Sequence, residues 1–218
     1  MFIGHDAIAF AGKKAAPRTS LGTLIAAASL LDLIWPVLVI AGIERFEIRR
    51  GVTSYSPFDF TYYPWSHSLV MSIVWSIVFG GGYFAVTKYA RGAVVTGVAV
   101  FSHWVLDFVS HRADMPLWFG GPRVGLGLWN SIPGTIIVES LIYIAGVAIY
   151  LRATRARDRM GVVLTWFLII FLAVMYIVSS MNPPPPGTSP VTIAWGAQAV
   201  WLLIALGWWA DRHREARA

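Results

Sequence analysis

The chain of 218 residues has no cysteine, so no disulfide, thiolate metal ligand or cysteine nucleophile can form. Any metal must be held by His, Asp, Glu or backbone oxygen. Charge is also scarce: 13% of residues are Asp, Glu, Lys or Arg, against about a quarter in an ordinary soluble domain, while 57% are hydrophobic. That balance leaves no room for a soluble module of useful size and implies an integral membrane protein. The formal net charge of +6 comes from Lys and Arg in short clusters between apolar runs rather than from one basic face. Topology accounts for these clusters, and no nucleic-acid partner is expected. No GxSxG, Walker or HExxH arrangement occurs. Ser66, Ser68 and Ser102 stand beside histidines, but their spacing does not define a catalytic triad. The opening MFIGHDAIAFAGKK places its basic residues after a short apolar stretch, the reverse of a signal peptide, and is expected to be retained.

What the chain does have is apolar runs. Six approach the ~20 residues that a helix needs to cross a bilayer. They lie near 20–42, 67–89, 92–111, 134–151, 160–181 and 191–210. Residues 1–218 therefore read as one all-α, polytopic membrane bundle, with the polar candidates in 1–140 and plain helices in 141–218. Lys13, Lys14 and Arg18 precede the first run, Lys88 and Arg91 join the second to the third, and Arg152, Arg155, Arg157 and Arg159 join the fourth to the fifth. By the positive-inside rule both termini face the cytoplasm of an inner or plasma membrane, and 43–66, 112–133 and 182–190 face outward. Pro183 to Pro186 read as a stiff external connector without a functional role, and the glycines at 80–82 as a break in their span. Residues 2–12 are too short to span and are expected to form a half-helix that folds back at Lys13/Lys14. The helical rise then puts His5 roughly 12 Å above that turn, and Asp32 about 18 Å along the first span, so that the two can meet.

The third run holds the chemistry. In FSHWVLDFVSH, His103, Asp107 and His111 are spaced i, i+4, i+8, which keeps them on one helical face. Ionisable groups inside a bilayer are costly, and they face a bundle interior with partners. The partners available are His67 at the start of the second span, Glu139 just inside the fourth, Asp32 in the first and His5 in the half-helix. Imidazole and carboxylate without sulfur suit zinc, iron or manganese, and Asp107, flanked by histidines one turn away, is a natural bridge between two ions. Taken singly, several of these residues have plainer roles. Asp32 or Glu139 could form a helix-to-helix hydrogen bond, His67 an interfacial cap and His111 an ordinary interfacial histidine, while His213 in the cationic tail is solvated.

The blocks GHDAIAFAGKKAAP, LLDLIWP, WSHSLV and SHWVLDFVSH, in this order, resemble those of the membrane-bound, YdjM-like metal-dependent hydrolases. The likeness covers the chain to about residue 114, with GLGLWNSIPGTIIVES beyond it. That family is in turn similar to the zinc-dependent phospholipase C and single-strand nuclease superfamily, helical enzymes that cleave phosphate esters with clustered zinc. The resemblance implies metal-ligand roles for His5, Asp32, His67, His103 and Asp107, with His111 and Glu139 as further candidates. Here the Asp block reads LLD rather than LPD, and Thr135 stands where the soluble enzymes carry a histidine four before their glutamate. One or two metals are therefore implied rather than three.

The expectation is a metal-dependent hydrolase of phosphate esters, small or lipid-linked, most simply with zinc. Glu139 would be ligand or general base, and Arg112 and Arg123 would hold the phosphate by their guanidinium forks. The plainer role of those arginines is interfacial snorkelling. An ion- or proton-coupled transporter is the alternative from another class, opposed by the lack of a clear internal repeat and of a pair of Gly/Pro-broken spans in matching positions. A structural membrane protein whose polar cluster only specifies packing is the third reading.

Overall fold

A computed structural model describes residues 1–217. The fold is all-α, with, among the described residues, five helices long and apolar enough to cross a membrane and a sixth, bent pair of the same character, consistent with an integral membrane protein. Local chemistry sets the starts of these helices. Hydroxyl or carboxylate side chains of Ser20, Ser68, Ser131, Asp158 and Ser189 accept backbone N–H groups at the heads of α2 (Leu21–Ala28), α5 (Leu69–Thr87), α7 (Ile132–Ala153), α8 (Arg159–Met181) and α9 (Pro190–Ala197). The glycines at 80–82 do not interrupt α5, which runs through them. Their absence of side chains serves packing instead: a Cβ on Gly80 would lie 2.8 Å from the carbonyl oxygen of Ala93 on α6 (Ala90–Ser110). In lipid, where apolar burial between helices gains little, such close backbone approach is a main source of cohesion.

The half-helix is α1 (Ile3–Ala15), and it lies inside the bundle against α2, α6 and α7. Phe10 packs 6.1 Å from Tyr143 and 5.3 Å from Tyr150, and a Cβ on Gly146 would fall 2.4 Å from the carbonyl oxygen of Ala7. Its basic end, the connection 88–91 and the C-terminal tail share one end of the bundle. Lys13 is paired with Asp211 at 2.7 Å, Arg18 lies 4.6 Å over the Tyr89 ring, and β5 (Thr154–Ala156) pairs with β6 (Arg214–Ala216). Met1 lies at the other end of α1, beside Asp107, so the two termini do not share one end of the bundle.

The first expected span is not one helix. α2 stops at Ala28, Ser29 adopts a non-helical φ of -102° and ψ of 10°, and α3 (Leu30–Ile40) leaves at 55°. The last span, Pro190–Arg212, runs on without a sharp bend, with helical backbone at Gln198 and Ala199 joining α9 to α10 (Val200–Arg212). The halves of the bent span pack against this last helix, α2 on α10 and α3 on α9.

The expected outer loops carry structure as well. β1 (Arg45–Ile48) and β2 (Phe58–Tyr62) form an antiparallel hairpin whose Phe46 and Phe60 lie 4.9 and 5.7 Å from Trp35 of α3. This hairpin leads into the single turn α4 (Pro64–His67). A shorter ribbon, β3 (Met115–Pro116) with β4 (Arg123–Val124), closes the loop after α6.

Candidate metal centre

Four elements bring five side chains together: His5 from α1, Asp32 from α3, His67 from α4, and His103 with Asp107 from α6. The helical spacing behind the expected stripe holds for the last two, and His103 Nε2 lies 3.2 Å from Asp107 Oδ2. His67 Nε2 is 3.6 Å from Asp32 Oδ1 and 3.7 Å from Asp107 Oδ2, and His103 Nε2 is 3.7 Å from Asp32 Oδ2. On the other oxygen of Asp107, His5 Nε2 sits at 3.1 Å, its ring stacked on that of His103 at 3.7 Å and within 2° of parallel. The N-terminal ammonium of Met1 also contacts this oxygen. His5, His103 and Asp107, and separately Asp32, His67 and His103, form two overlapping groups able to hold a metal ion.

The hydrogen bonds around the rings decide which nitrogens face inward. His103 Nδ1 lies 2.7 Å from the carbonyl oxygen of Ala28, an acceptor only, so Nδ1 carries a proton and donates it. That carbonyl ends α2 where the helix breaks, so the break that turns α3 also supplies the anchor for His103. In the neutral ring Nε2 then holds a lone pair, and this buried atom has no hydrogen-bond partner. A lone pair 3.2 Å from a carboxylate oxygen is repulsive unless a proton or a metal cation lies between them. Zinc bonds of about 2.0–2.1 Å place the ligand atoms of a tetrahedron about 3.3 Å apart. The four imidazole–carboxylate separations of 3.2 to 3.7 Å fit such a cation.

Asp32, His67 and Asp107 form part of the wall of a cavity of about 630 Å³. Its remaining walls are mixed, with Trp35, Phe58, Trp129 and Val200 beside Ser54, Ser179 and Asn182. Pro183 and Pro184 line it too, so the proline connector is part of the cavity rather than a bare link.

The remaining expected site residues fall elsewhere. Helix α6 ends at Ser110, and His111 takes an extended φ of -67° and ψ of 150°, which removes it from the stripe. Its Nδ1 meets Asp114 at 3.0 Å, and its ring lies 4.2 Å from Trp129, in the cavity wall. Glu139 touches none of the imidazoles within hydrogen-bond reach; its Oε2 accepts the N–H groups of Phe2 at 2.8 Å and Gly4 at 3.4 Å. A carboxylate at the head of a helix satisfies otherwise orphaned donors, so Glu139 anchors α1. Arg112 is bound to Asp59 and Asp114, and Arg123 donates to the carbonyls of Phe60 and Thr61. Neither lines the cavity, so the expected phosphate-holding role of both is corrected to fastening the outer loops.

Four residues escaped the sequence reading. Arg50 lines the cavity and makes no hydrogen bond or ion pair among the described residues. Asp59 and Asp114 are buried partners of the arginines. Glu44 is 1% exposed and accepts both the N–H and the hydroxyl of Ser66, at 2.9 and 2.6 Å. Burial pushes its carboxyl above the usual range, and the two Ser66 hydrogen bonds oppose that rise. A run such as ERFEIRR carries no periodic signal that separates Glu44 from its exposed neighbours. Comparison with family models, with curated proteins and with solved structures gives no match.

Proposed function

We propose that the protein is a membrane-embedded, metal-dependent hydrolase of phosphate esters. The observation that carries the reading is the convergence of inward-facing imidazole nitrogens and two carboxylates beside an amphipathic cavity. The likeness of the chain's first half to membrane-bound metal-dependent hydrolases agrees with it. His67, His103, Asp32 and Asp107 would hold one ion, zinc by donor set and spacing, with His5 on the second oxygen of Asp107 for another. When bound, such an ion supplies Lewis acidity toward a phosphoryl oxygen and lowers the pKa of water toward neutrality. The chain's own residues do the rest. Trp35, Phe58 and Trp129 exclude water from one side of the cavity, the hydroxyls of Ser54 and Ser179 offer polar contacts, and Arg50 is an unpaired cation for an ester's anionic oxygen. The cavity lies beside the hairpin and the proline connector, opposite the basic end of the bundle, so by the positive-inside rule it opens away from the cytoplasm.

The test is elemental analysis of detergent-purified protein beside a His103→Ala/Asp107→Ala control, followed by hydrolysis of bis(p-nitrophenyl) phosphate and of phospholipid in mixed micelles. At least one equivalent of metal in the unmutated protein only, with hydrolysis lost in the control, is expected. Metal absent from both folded proteins, or hydrolysis fully retained after His103→Ala, would refute the reading.

One observation favours a second reading, ion-coupled transport: the sharply bent span of α2 and α3 breaks beside the polar cluster, as in carriers with discontinuous helices. Zinc or proton flux into liposomes, abolished by Asp107→Asn in protein without hydrolytic activity, would put that reading first.

A further inference from the structure

We infer that Glu44 and Ser66 form a positioning chain that fixes the proton of His67 on Nδ1 and so aims its Nε2 lone pair at the metal centre. The inference rests on the metal-centre reading above and goes beyond it by assigning roles to two residues outside the ligand set.

The Ser66 hydroxyl has one hydrogen and lies between two close partners, Glu44 Oε2 at 2.6 Å and His67 Nδ1 at 2.7 Å, with the Tyr63 carbonyl oxygen farther off at 3.5 Å. The two Ser66 contacts favour the ionised Glu44 carboxylate, and in that form it only accepts, so the Ser66 hydrogen goes to Glu44. The Ser66 oxygen must then accept from His67, which places the ring proton on Nδ1 and leaves Nε2 free to face Asp32 and Asp107. Glu44 is itself held in one orientation, because its other oxygen accepts the Ser66 N–H at 2.9 Å. All three side chains are at most 4% exposed, so water does not compete for these bonds.

The chain also links two ligand-bearing elements. Glu44 follows α3, which carries Asp32, and its own N–H is bonded to the Leu38 carbonyl of that helix. Ser66 and His67 lie in α4. The Glu44–Ser66 contacts therefore hold the turn bearing His67 against the end of the segment bearing Asp32. His103 reaches the same tautomer by a different device, the Ala28 carbonyl. Outer partners of this kind orient metal-binding imidazoles, and their loss typically lowers metal affinity by about 10- to 100-fold.

Zinc affinity would be measured by competition with a chromophoric chelator for wild type, Ser66→Ala, Ser66→Thr, Glu44→Gln and the Glu44→Gln/Ser66→Ala pair. The ring tautomer of His67 would be read from ¹⁵N shifts of metal-free, histidine-labelled protein. Ser66→Ala and Glu44→Gln should each weaken zinc by about 10- to 100-fold, Ser66→Thr should bind as wild type does, and the pair should be no weaker than Ser66→Ala alone. The wild-type His67 proton should be on Nδ1, with mixed tautomers in Ser66→Ala. Glu44→Gln is the sharper variant, since its amide can donate to Ser66 and reverse the chain without changing its size. Wild-type zinc binding unchanged in all variants, or a wild-type proton on Nε2, overturns the inference while leaving the metal centre intact. If Ser66→Ala does not fold, the wild-type tautomer and Glu44→Gln decide. A wild type that binds no zinc removes the metal-centre reading and this inference together.

Discussion

Substituting alanine at Gly146 tests whether the buried half-helix is held in register with the metal centre by backbone contact. The added Cβ would stand 2.4 Å from the Ala7 carbonyl oxygen and 2.8 Å from its Cα, and both are backbone atoms that cannot rotate away. Restoring a separation near 3.5 Å requires α1 and α7 to part by about 1 Å. Overpacking of this kind costs about 1–3 kcal/mol, which corresponds to a fall of about 2–12 °C in the thermal midpoint of a chain this size. The functional consequence follows from His5, two residues from Ala7 on the same rigid helix and 3.1 Å from Asp107. Metal sites tolerate ligand displacements of only about 0.2 Å, so a 1 Å shift removes His5 from coordination. Thermal unfolding in detergent and zinc titration, each repeated in a His5→Ala background, give the assay. Gly146→Ala should lower the midpoint in both backgrounds but weaken zinc binding only where His5 is present. An unchanged midpoint with unchanged zinc binding would refute the claim that this contact sets the helix.

Arg50→Ala is expected to raise KM for bis(p-nitrophenyl) phosphate severalfold with the bound metal unchanged, whereas Arg112→Ala should lower the thermal midpoint and leave KM alone, because Arg112 is committed to Asp59 and Asp114; the reverse pattern in steady-state kinetics and unfolding would count against the assignment. At the basic end, the hydrogen bond from His213 and the Gly161 N–H hold the Asp158 carboxyl below its usual range. A carboxyl lowered in the folded state stabilises above its unfolded pKa of about 3.9 and loses that contribution as pH falls through the folded value. Wild type should therefore exceed Asp158→Asn in midpoint at neutral pH and converge with it in acid, as melts across a pH series would show.

The comparison between sequence and structure turns on the range of each signal. A 3.6-residue period is local, and it was enough to place His103 and Asp107 on one face and to set five of the six spans close to where they lie. His111 shares that period but not that face, because the helix ends one residue before it. The break at Ser29 has no glycine or proline at the bend to announce it; Pro36 lies well inside α3. Yet the break decides both the direction of Asp32 and the acceptor for His103. Glu139 looked like a ligand because it is an acid in a membrane span, and it became a helix anchor because α1 happened to end beneath it.

By itself, then, the sequence determined the class of the molecule, the set of nitrogen and oxygen donors and the pair that share a helical turn, since composition and helical pitch are properties of the chain alone. The tertiary structure decided which donors meet, which arginine lines the cavity and which way the imidazole protons point. Those choices depend on hydrogen bonds between residues 22 to 137 positions apart, which no local pattern encodes.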